Sequence, residues 1–156
     1  MHAVEPWNAA RAAEVIDRHR DRPGALLPLL HALQDVFGCI PEQAIRPVAE
    51  ALNLSRAEVH GVVSFYHDYR RAPPGRHVLK LCQAEACQAM GCRDLAALAR
   101  TRLGIPMGGT TADGRVTLEA VYCLGLCATA PSAMLDGAVR GRLTPAGLAA
   151  LLEGLA

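Results

Sequence analysis

The sequence of 156 residues has few aromatic side chains, almost no net charge and no long apolar run. Phe, Trp and Tyr make up 4% of it, and 16 Lys and Arg nearly balance 15 Asp and Glu. So few rings leave little with which to stack nucleic-acid bases, and a net charge of +1 does not attract phosphate backbones or anionic lipid. No apolar run reaches the roughly 20 residues that a membrane-spanning helix needs. These absences predict a protein that binds no nucleic acid and does not insert into a membrane.

Sequence signals for secretion and for nucleotide binding are also missing. Residues 1–6 lack a basic stretch followed by an apolar one, so we expect no signal peptide and a cytoplasmic protein. Neither a G-x-G-x-x-G turn nor a phosphate-binding loop with its lysine occurs, so no nucleotide or flavin site is expected in this chain. No pair of carboxylates is placed for general acid–base chemistry, and we therefore predict no catalytic residues.

The first half of the chain has the apolar periodicity of helices. Apolar side chains recur at helical spacing over residues 7–22 and 26–37, from 41 to about 52, and from 55 onward. Gly38 follows the second stretch, as is common at helix ends, and Ser55 with Glu58 forms a capping-box pattern before the fourth. Pro47 interrupts the third stretch and predicts a kink or a late start. We interpret residues 1–74 as a helical bundle.

A polar segment ending in Pro73, Pro74 and Gly75 separates this half from one with a different pattern. Residues 77–82 and 116–123 are predicted to be strands, with one helix from about 87 to 103 between them. A short hairpin at 132–140 and a last helix capped by Thr144 complete the order β-α-β-β-β-α. The sequence thus predicts an α/β (α+β) chain, in which the helical bundle is followed by a small mixed sheet with packed helices in residues 75–156.

Six cysteines are unusual in a chain expected in a reducing compartment, where spaced cysteines indicate metal or redox chemistry more often than disulfides. Four of them form two pairs, Cys82 with Cys87 and Cys123 with Cys127. Each pair begins where a predicted strand ends, so we expect all four at one end of the sheet. Cys87 should also lie near a helix N-terminus, where free backbone N–H groups favour a thiolate.

The spacing of the pairs favours an iron–sulfur cluster but leaves other chemistry open. Zinc sites most often use C-x2-C pairs and commonly recruit histidine, whereas these pairs are C-x4-C and C-x3-C. Each iron of a two-iron cluster takes two thiolates, so wider pairs can enclose its two ends. A zinc-stabilised interaction module stays an alternative. A thiol oxidoreductase does too, although the C-x-x-C motif typical of that class is absent.

The other two cysteines are interpreted as small buried apolar side chains. Cys39 follows the second predicted helix. Cys92 lies five residues after Cys87, and on one continuous helix the two side chains point about 140° apart, so Cys92 should face away from the site. Near the second pair, Gly125 should let the backbone pass close to sulfur. Four apolar residues should form a dry shell there: Leu124, Leu126, Ala128 and Ala130.

These motifs resemble those of a known family. The pattern Cys82-x4-Cys87, then Cys123-Leu-Gly-Leu-Cys127-Ala-x-Ala-Pro131 and a closing Leu143-Thr144, is similar to the thioredoxin-like [2Fe–2S] subunits of NADH-linked dehydrogenases. Such subunits occur in respiratory complex I, in NAD-linked hydrogenases and in NAD-dependent formate dehydrogenases. The helical half also matches, at Ile40-Pro41 and at Glu58-Val59 with Phe65-Tyr66.

The stretch from Cys82 to Gly91 is most similar to the gamma subunit of soluble, molybdenum-containing formate dehydrogenase. Members from complex I usually carry Gly-Thr just before the second ligand, where this chain has Ala84-Glu85-Ala86 and hence a carboxylate beside the site. The equivalent subunit of complex I or of an NAD-linked hydrogenase is the alternative assignment.

The resemblance implies a helical N-terminal part and a thioredoxin-like ferredoxin domain with one [2Fe–2S] cluster on Cys82, Cys87, Cys123 and Cys127. It implies an electron-transfer subunit that exchanges single electrons with an FMN/NADH-binding subunit, beside a larger molybdenum iron–sulfur subunit. FMN, NAD and the molybdenum cofactor are expected on those partners. We expect residues 1–74 to be the part that docks to a partner.

Overall fold

The computed structural model of the chain describes residues 4–155, which separate into two compact units, one ending at Pro73 and the other beginning at Pro74. Residues 1–3, which belong to the stretch examined for a signal peptide, and residue 156 lie outside the described residues. No helix found between residues 4 and 155 has the length and apolar character needed to cross a membrane.

The first unit consists of four helices, as predicted: α1 (Ala9–His19), α2 (Leu26–Phe37), α3 (Glu42–Leu52) and α4 (Arg56–Phe65). Their apolar faces share one core, in which Leu29, Leu30 and Leu33 of α2 are fully buried. Gly38 ends α2 with a φ of 72°, a left-handed conformation that costs glycine little. Ser55 and Glu58 exchange both hydrogen bonds of a capping box at the start of α4.

Two details of this unit differ from what the apolar periodicity of the sequence predicts. Helix α1 is shorter than expected, because Asn8 caps it and it ends at His19. The late start predicted for α3 is wrong: the helix begins directly after Pro41 and continues through Pro47. Proline removes one backbone hydrogen bond there, but Val48 and other apolar residues of α3 are buried in the core, and tertiary packing supplies most of the stability of such a helix.

The second unit contains a four-stranded sheet with the strand order β2-β1-β3-β4. The strands are β1 (His77–Cys82), β2 (Val116–Val121), β3 (Ala133–Leu135) and β4 (Ala138–Arg140). Strand β1 is parallel to β2 and antiparallel to β3, which confirms the mixed sheet and the α+β class. Strands β3 and β4 form the predicted hairpin around Asp136 and Gly137, which both have the positive φ that a tight two-residue turn requires.

Three helices accompany this sheet: α5 (Glu85–Ala89), α6 (Cys92–Leu103) and α7 (Pro145–Glu153). Thr144 caps α7 and Pro145 is its first residue, as predicted. The core of the unit combines buried side chains of the sheet with side chains of α6 and α7, among them Leu79, Leu118, Leu95 and Leu148. This core is made entirely within the second unit.

The single helix predicted for residues 87–103 is wrong. The structure has α5, which ends at Ala89, and α6, which begins at Cys92. Gly91 lies between them with a φ of 84°, a backbone conformation that most residues with a side chain avoid. The interruption matters for the site, because the relative directions of Cys87 and Cys92 no longer follow from one helical repeat.

The outer edge of β2 is covered by the segment that precedes it. The N–H groups of Gly108 and Thr111 donate to the carbonyls of Leu118 and Val116 at 2.7 and 2.9 Å, and Leu118 N–H donates to Gly109 at 2.9 Å. Strand β4 forms the opposite edge of the sheet, and its three residues are all exposed.

Candidate metal centre

The four paired cysteines lie at one end of the sheet. Cys82 is the last residue of β1, and Cys123 follows β2 by two residues. Because β1 and β2 are parallel, their C-terminal ends place these two residues at the same edge. Cys87 is the third residue of α5, and Cys127 begins a 3₁₀ turn, Cys127–Thr129.

The thiols of this cluster are arranged as two pairs. The Sγ atoms of Cys123 and Cys127 are 3.6 Å apart. Cys82 and Cys87 are buried together in one small cluster, and both Cys87 and the backbone of Cys123 are close enough to Cys82 to lower its pKa. Across residues 4–155, no group of three or more His, Cys, Asp and Glu side chains is arranged to hold one metal ion.

The two pairs differ sharply in exposure. Cys82 and Cys87 each expose only 2% of their surface, whereas Cys123 and Cys127 are exposed. The dry shell predicted around the second pair is therefore wrong. Of the four residues named for it, Ala130 alone is buried, Ala128 is exposed, and Leu124 and Leu126 are half-buried. These residues follow β2 in a loop and one short 3₁₀ turn, which do not enclose the sulfurs as a packed element would.

Hydrogen-bond donors converge on the buried pair. Burial raises the pKa of Cys82, but four hydrogen bonds together outweigh it and bring the pKa below its ordinary value. The donors are the backbone N–H groups of Ala84 and Cys123, the thiol of Cys87 and the hydroxyl of Ser132. Hydrogen bonds to the charged form favour it, so this environment stabilises a thiolate at Cys82.

The exposed pair is held by its own loop. Cys123 has a φ of 93°, and the N–H of Gly125 donates to Cys123 Sγ at 3.4 Å, so the backbone passes close to sulfur at Gly125 as predicted. The pKa of Cys127 is raised, first by its hydrogen bond with Cys123 and then by the negative charge of Cys123. The charges of Cys87 and Cys82 raise it further, so all four sulfurs act on one another.

Cys92 does not face away from the site. It is buried in the same small apolar cluster as Cys82 and Cys87, and its pKa is raised by burial and then by the negative charges of those two residues. The prediction failed because it assumed one continuous helix, whereas the chain changes direction at Gly91. Cys39 is buried in the first unit, where burial raises the pKa of its thiol.

Sequence reasoning missed Ser132, which lies against the buried pair. Its Oγ is 3.5 Å from Cys87 Sγ, and its carbonyl accepts the backbone N–H of Cys82 at 3.0 Å. Ser132 follows Pro131, whose preceding peptide bond is cis, and it is a polar residue directly before the apolar strand β3. That isolated polar position was the available signal.

The donor set fits an iron–sulfur cluster. Two pairs of thiols offer two sulfurs to each of two irons, and N–H and O–H donors next to the sulfurs compensate negative charge. Fold and site together define the class, a small α+β electron-transfer protein with a cysteine-rich centre.

The chain belongs to the thioredoxin-like [2Fe–2S] ferredoxin family, whose model matches residues 12–156. Membership confirms the fold and the cofactor expected from the sequence, a [2Fe–2S] cluster. The zinc module and the thiol oxidoreductase that the cysteine spacing left open therefore do not apply.

Several known proteins are similar over most of the chain. A subunit of the NADH-quinone oxidoreductase of Pseudomonas aeruginosa is 38% identical over 135 residues, which is 86% of this chain and 81% of that protein. A subunit of the NADP-reducing hydrogenase of Solidesulfovibrio fructosivorans is 34% identical, over 92% of this chain and 85% of that one. The crystal structure of an air-oxidized NAD⁺-reducing [NiFe]-hydrogenase matches with a TM-score of 0.73 and 29% identity, covering 89% of this chain but 24% of the hydrogenase chain.

Proposed function

We propose that this chain is the electron-transfer subunit of an NAD-dependent formate dehydrogenase complex and that Cys82, Cys87, Cys123 and Cys127 hold its [2Fe–2S] cluster. The observation that supports the ligand assignment is the meeting of the two cysteine pairs at the C-terminal ends of the parallel strands β1 and β2, where the Sγ atoms of Cys123 and Cys127 are 3.6 Å apart. When bound, the cluster takes up and releases one electron at a time.

The chain's own residues hold the cluster in place, compensate its negative charge and leave one end of it accessible to a partner. Cys82 and Cys87 anchor one end of the site in a water-poor environment, and Cys123 and Cys127 place the other end at the surface of the unit. Exposure at that end lets the redox centre of a partner approach closely. No bond to a substrate is made on this chain, so catalysis belongs to the partner subunits.

The partners in this proposal are an FMN/NADH-binding subunit and a larger molybdenum iron–sulfur subunit. The relatives support the first, because they are named as subunits of NADH-quinone oxidoreductases and of an NADP-reducing hydrogenase. The second rests on the likeness of the Cys82–Gly91 stretch to formate dehydrogenase gamma subunits. In the complex, formate loses two electrons and one proton and becomes CO₂, and NAD⁺ accepts two electrons and one proton to become NADH.

The second candidate is the equivalent subunit of respiratory complex I or of an NAD-linked hydrogenase. It is favoured by the identities of 38% and 34% to subunits of an NADH-quinone oxidoreductase and a hydrogenase, and by the structural similarity to the NAD⁺-reducing hydrogenase.

Affinity purification of the tagged chain with its native complex distinguishes these candidates. We expect co-purification of a flavoprotein and of a molybdenum-containing subunit, with NAD⁺ reduction that depends on formate. Nickel in place of molybdenum, with NAD⁺ reduction by hydrogen, would assign the chain to a hydrogenase. Membrane subunits and NADH oxidation by quinone would assign it to complex I. Either result would overturn the formate dehydrogenase assignment and leave the cluster ligands as proposed.

A further inference from the structure

Within the described part of the chain, Ser132 has the one hydroxyl that is hydrogen-bonded to a sulfur of the buried pair, that of Cys87. The residue is 3% exposed, and its Oγ lies 3.5 Å from Cys87 Sγ. A single buried hydroxyl therefore lies against the sulfur of Cys87.

The backbone around Ser132 is held on both sides, so the hydroxyl has a defined position. Its carbonyl accepts the N–H of Cys82 at 3.0 Å, and the carbonyl of Pro131 accepts the N–H of Leu143 at 2.9 Å. Ala133, the next residue, is paired with Leu81 of β1. Ser132 thus belongs to the same hydrogen-bonded frame as the cysteine next to it.

The direction of this hydrogen bond follows from the chemistry of ligation. Between a free thiol and a hydroxyl, either group can donate. A cysteine that ligates iron is a thiolate and has no proton, so the hydroxyl must be the donor. A donor facing a sulfur stabilises negative charge on it, and burial strengthens the interaction because water does not compete.

We propose that Ser132 is a positioning residue that raises the reduction potential of the cluster by donating a hydrogen bond to the sulfur of Cys87. The inference rests on the proposed ligand set. Reduction adds one negative charge to the cluster, and hydrogen bonds to the sulfurs are among the factors that set its potential. The hydroxyl therefore stabilises the reduced state more than the oxidised state.

The test is a redox titration of the purified full-length protein with its cluster, followed by visible absorption and EPR. In Ser132→Ala, the ratio of reduced to oxidised cluster at the wild-type midpoint should fall about tenfold, which is 59 mV for one electron. Ser132→Thr, which keeps the hydroxyl, should stay near the wild type, and Ser132→Val, which replaces the hydroxyl by methyl groups, should behave like Ser132→Ala. Ser64→Ala is the matched control, because this exposed serine bonds only locally, to Gly61.

Each outcome decides the proposal. A full cluster with the wild-type midpoint in Ser132→Ala or Ser132→Val would overturn it and leave the ligand set intact. Loss of the cluster in both variants, with a normal Ser132→Thr, would assign the hydroxyl to cluster assembly and also overturn it. A full cluster in Cys82→Ala, in contrast, would refute the ligand assignment itself, whatever the serine variants show.

Discussion

The four paired cysteines are not equivalent side chains, because two are buried and two are exposed. Replacing any of Cys82, Cys87, Cys123 and Cys127 by Ala removes one thiolate and leaves an open iron site, so we expect loss of most of the visible absorption and iron in each variant. Before cluster loading, the variants at Cys82 and Cys87 should also unfold more easily, since they create a gap in a packed region. Iron analysis and urea unfolding measure the two effects.

Cys39→Ala and Cys92→Ala are the controls for this series. Both residues are buried, so their loss tests packing without removing a proposed ligand. The visible spectrum should stay nearly unchanged in both. Because Cys92 packs against Cys82 and Cys87, its variant is the more stringent control. A colourless Cys92→Ala together with a coloured Cys87→Ala would show that the wrong cysteine has been assigned.

The composition of the cluster gives a separate prediction. Two pairs of thiolates, and membership of a [2Fe–2S] family, require two irons and two sulfides per chain. The oxidised protein should be EPR-silent, and the form reduced by one electron should show a spin-one-half signal. Chemical analysis that finds four irons and four sulfides per chain would contradict this assignment.

At the scale of the secondary-structure elements, the segment from Gly141 to Leu143 holds the turn that contains Cys127 in place. Arg142 N–H donates to the carbonyl of Thr129 at 2.6 Å, and a Cβ on Gly141 would meet the side chain of Thr129 and lie 2.8 Å from its carbonyl oxygen. We expect Gly141→Ala to lower the free energy of unfolding by about 1–3 kcal/mol and to reduce cluster content, because the turn must shift. Urea unfolding and iron analysis test both effects.

Gly61→Ala is the matched control for this variant. Gly61 lies inside α4, where an added Cβ meets no atom within 4 Å. The substitution should stabilise the protein by about 0.5–1 kcal/mol, since alanine loses less conformational freedom in a helix. Equal destabilisation by both substitutions would show that the contact with Thr129 is not the cause.

The capping box of α4 predicts a dependence of stability on pH. Hydrogen bonds from the backbone and side chain of Ser55 lower the pKa of Glu58, so its carboxylate stabilises the fold above the ordinary Glu pKa and loses this effect as pH falls through the lowered value. Ser55→Ala should cost about 1 kcal/mol at neutral pH. Measured against Ser64→Ala, the difference in unfolding free energy should shrink in acid. A constant difference would contradict the role of Glu58.

Elements defined by local chemistry were predictable from the sequence, and those decided by packing were not. Gly38 marks the end of α2, and Thr144-Pro145 marks the start of α7. Asp136-Gly137 marks the hairpin turn. A lone glycine such as Gly91 is compatible with a helix or with a break, so the division into α5 and α6 was missed. The burial of Cys92 and the position of Ser132 follow from that division and from the pairing of β1 with β3.

For the molecule as a whole, the two units suggest separate tasks. All four paired cysteines and their supporting core lie in the second unit, and the first exposes Phe65 by 72% and Tyr66 by 44%. We expect a fragment from Gly75 to the C-terminus to assemble the cluster, although less stably, and to lose binding to the flavoprotein. Its visible spectrum and a pull-down against the full-length chain measure both properties.

The fragment experiment can fail in two informative ways. A colourless, unfolded fragment would show that the units fold as one cooperative structure. A coloured fragment that binds the flavoprotein as tightly as the full chain would show that the helices, including exposed Phe65, are not the docking element.

The covered edge of β2 affects the tendency of this chain to aggregate with neighbouring molecules. Unpaired strand edges invite strand addition from other molecules, which is a common route to aggregation. Here the backbone groups of Val116 and Leu118 are already used by the preceding segment, and the remaining edge, β4, is three residues long and ends in Arg140. A strand from another molecule would meet few unpaired N–H and C=O groups at the edges of this sheet. Crowding should therefore not drive this sheet to grow from chain to chain.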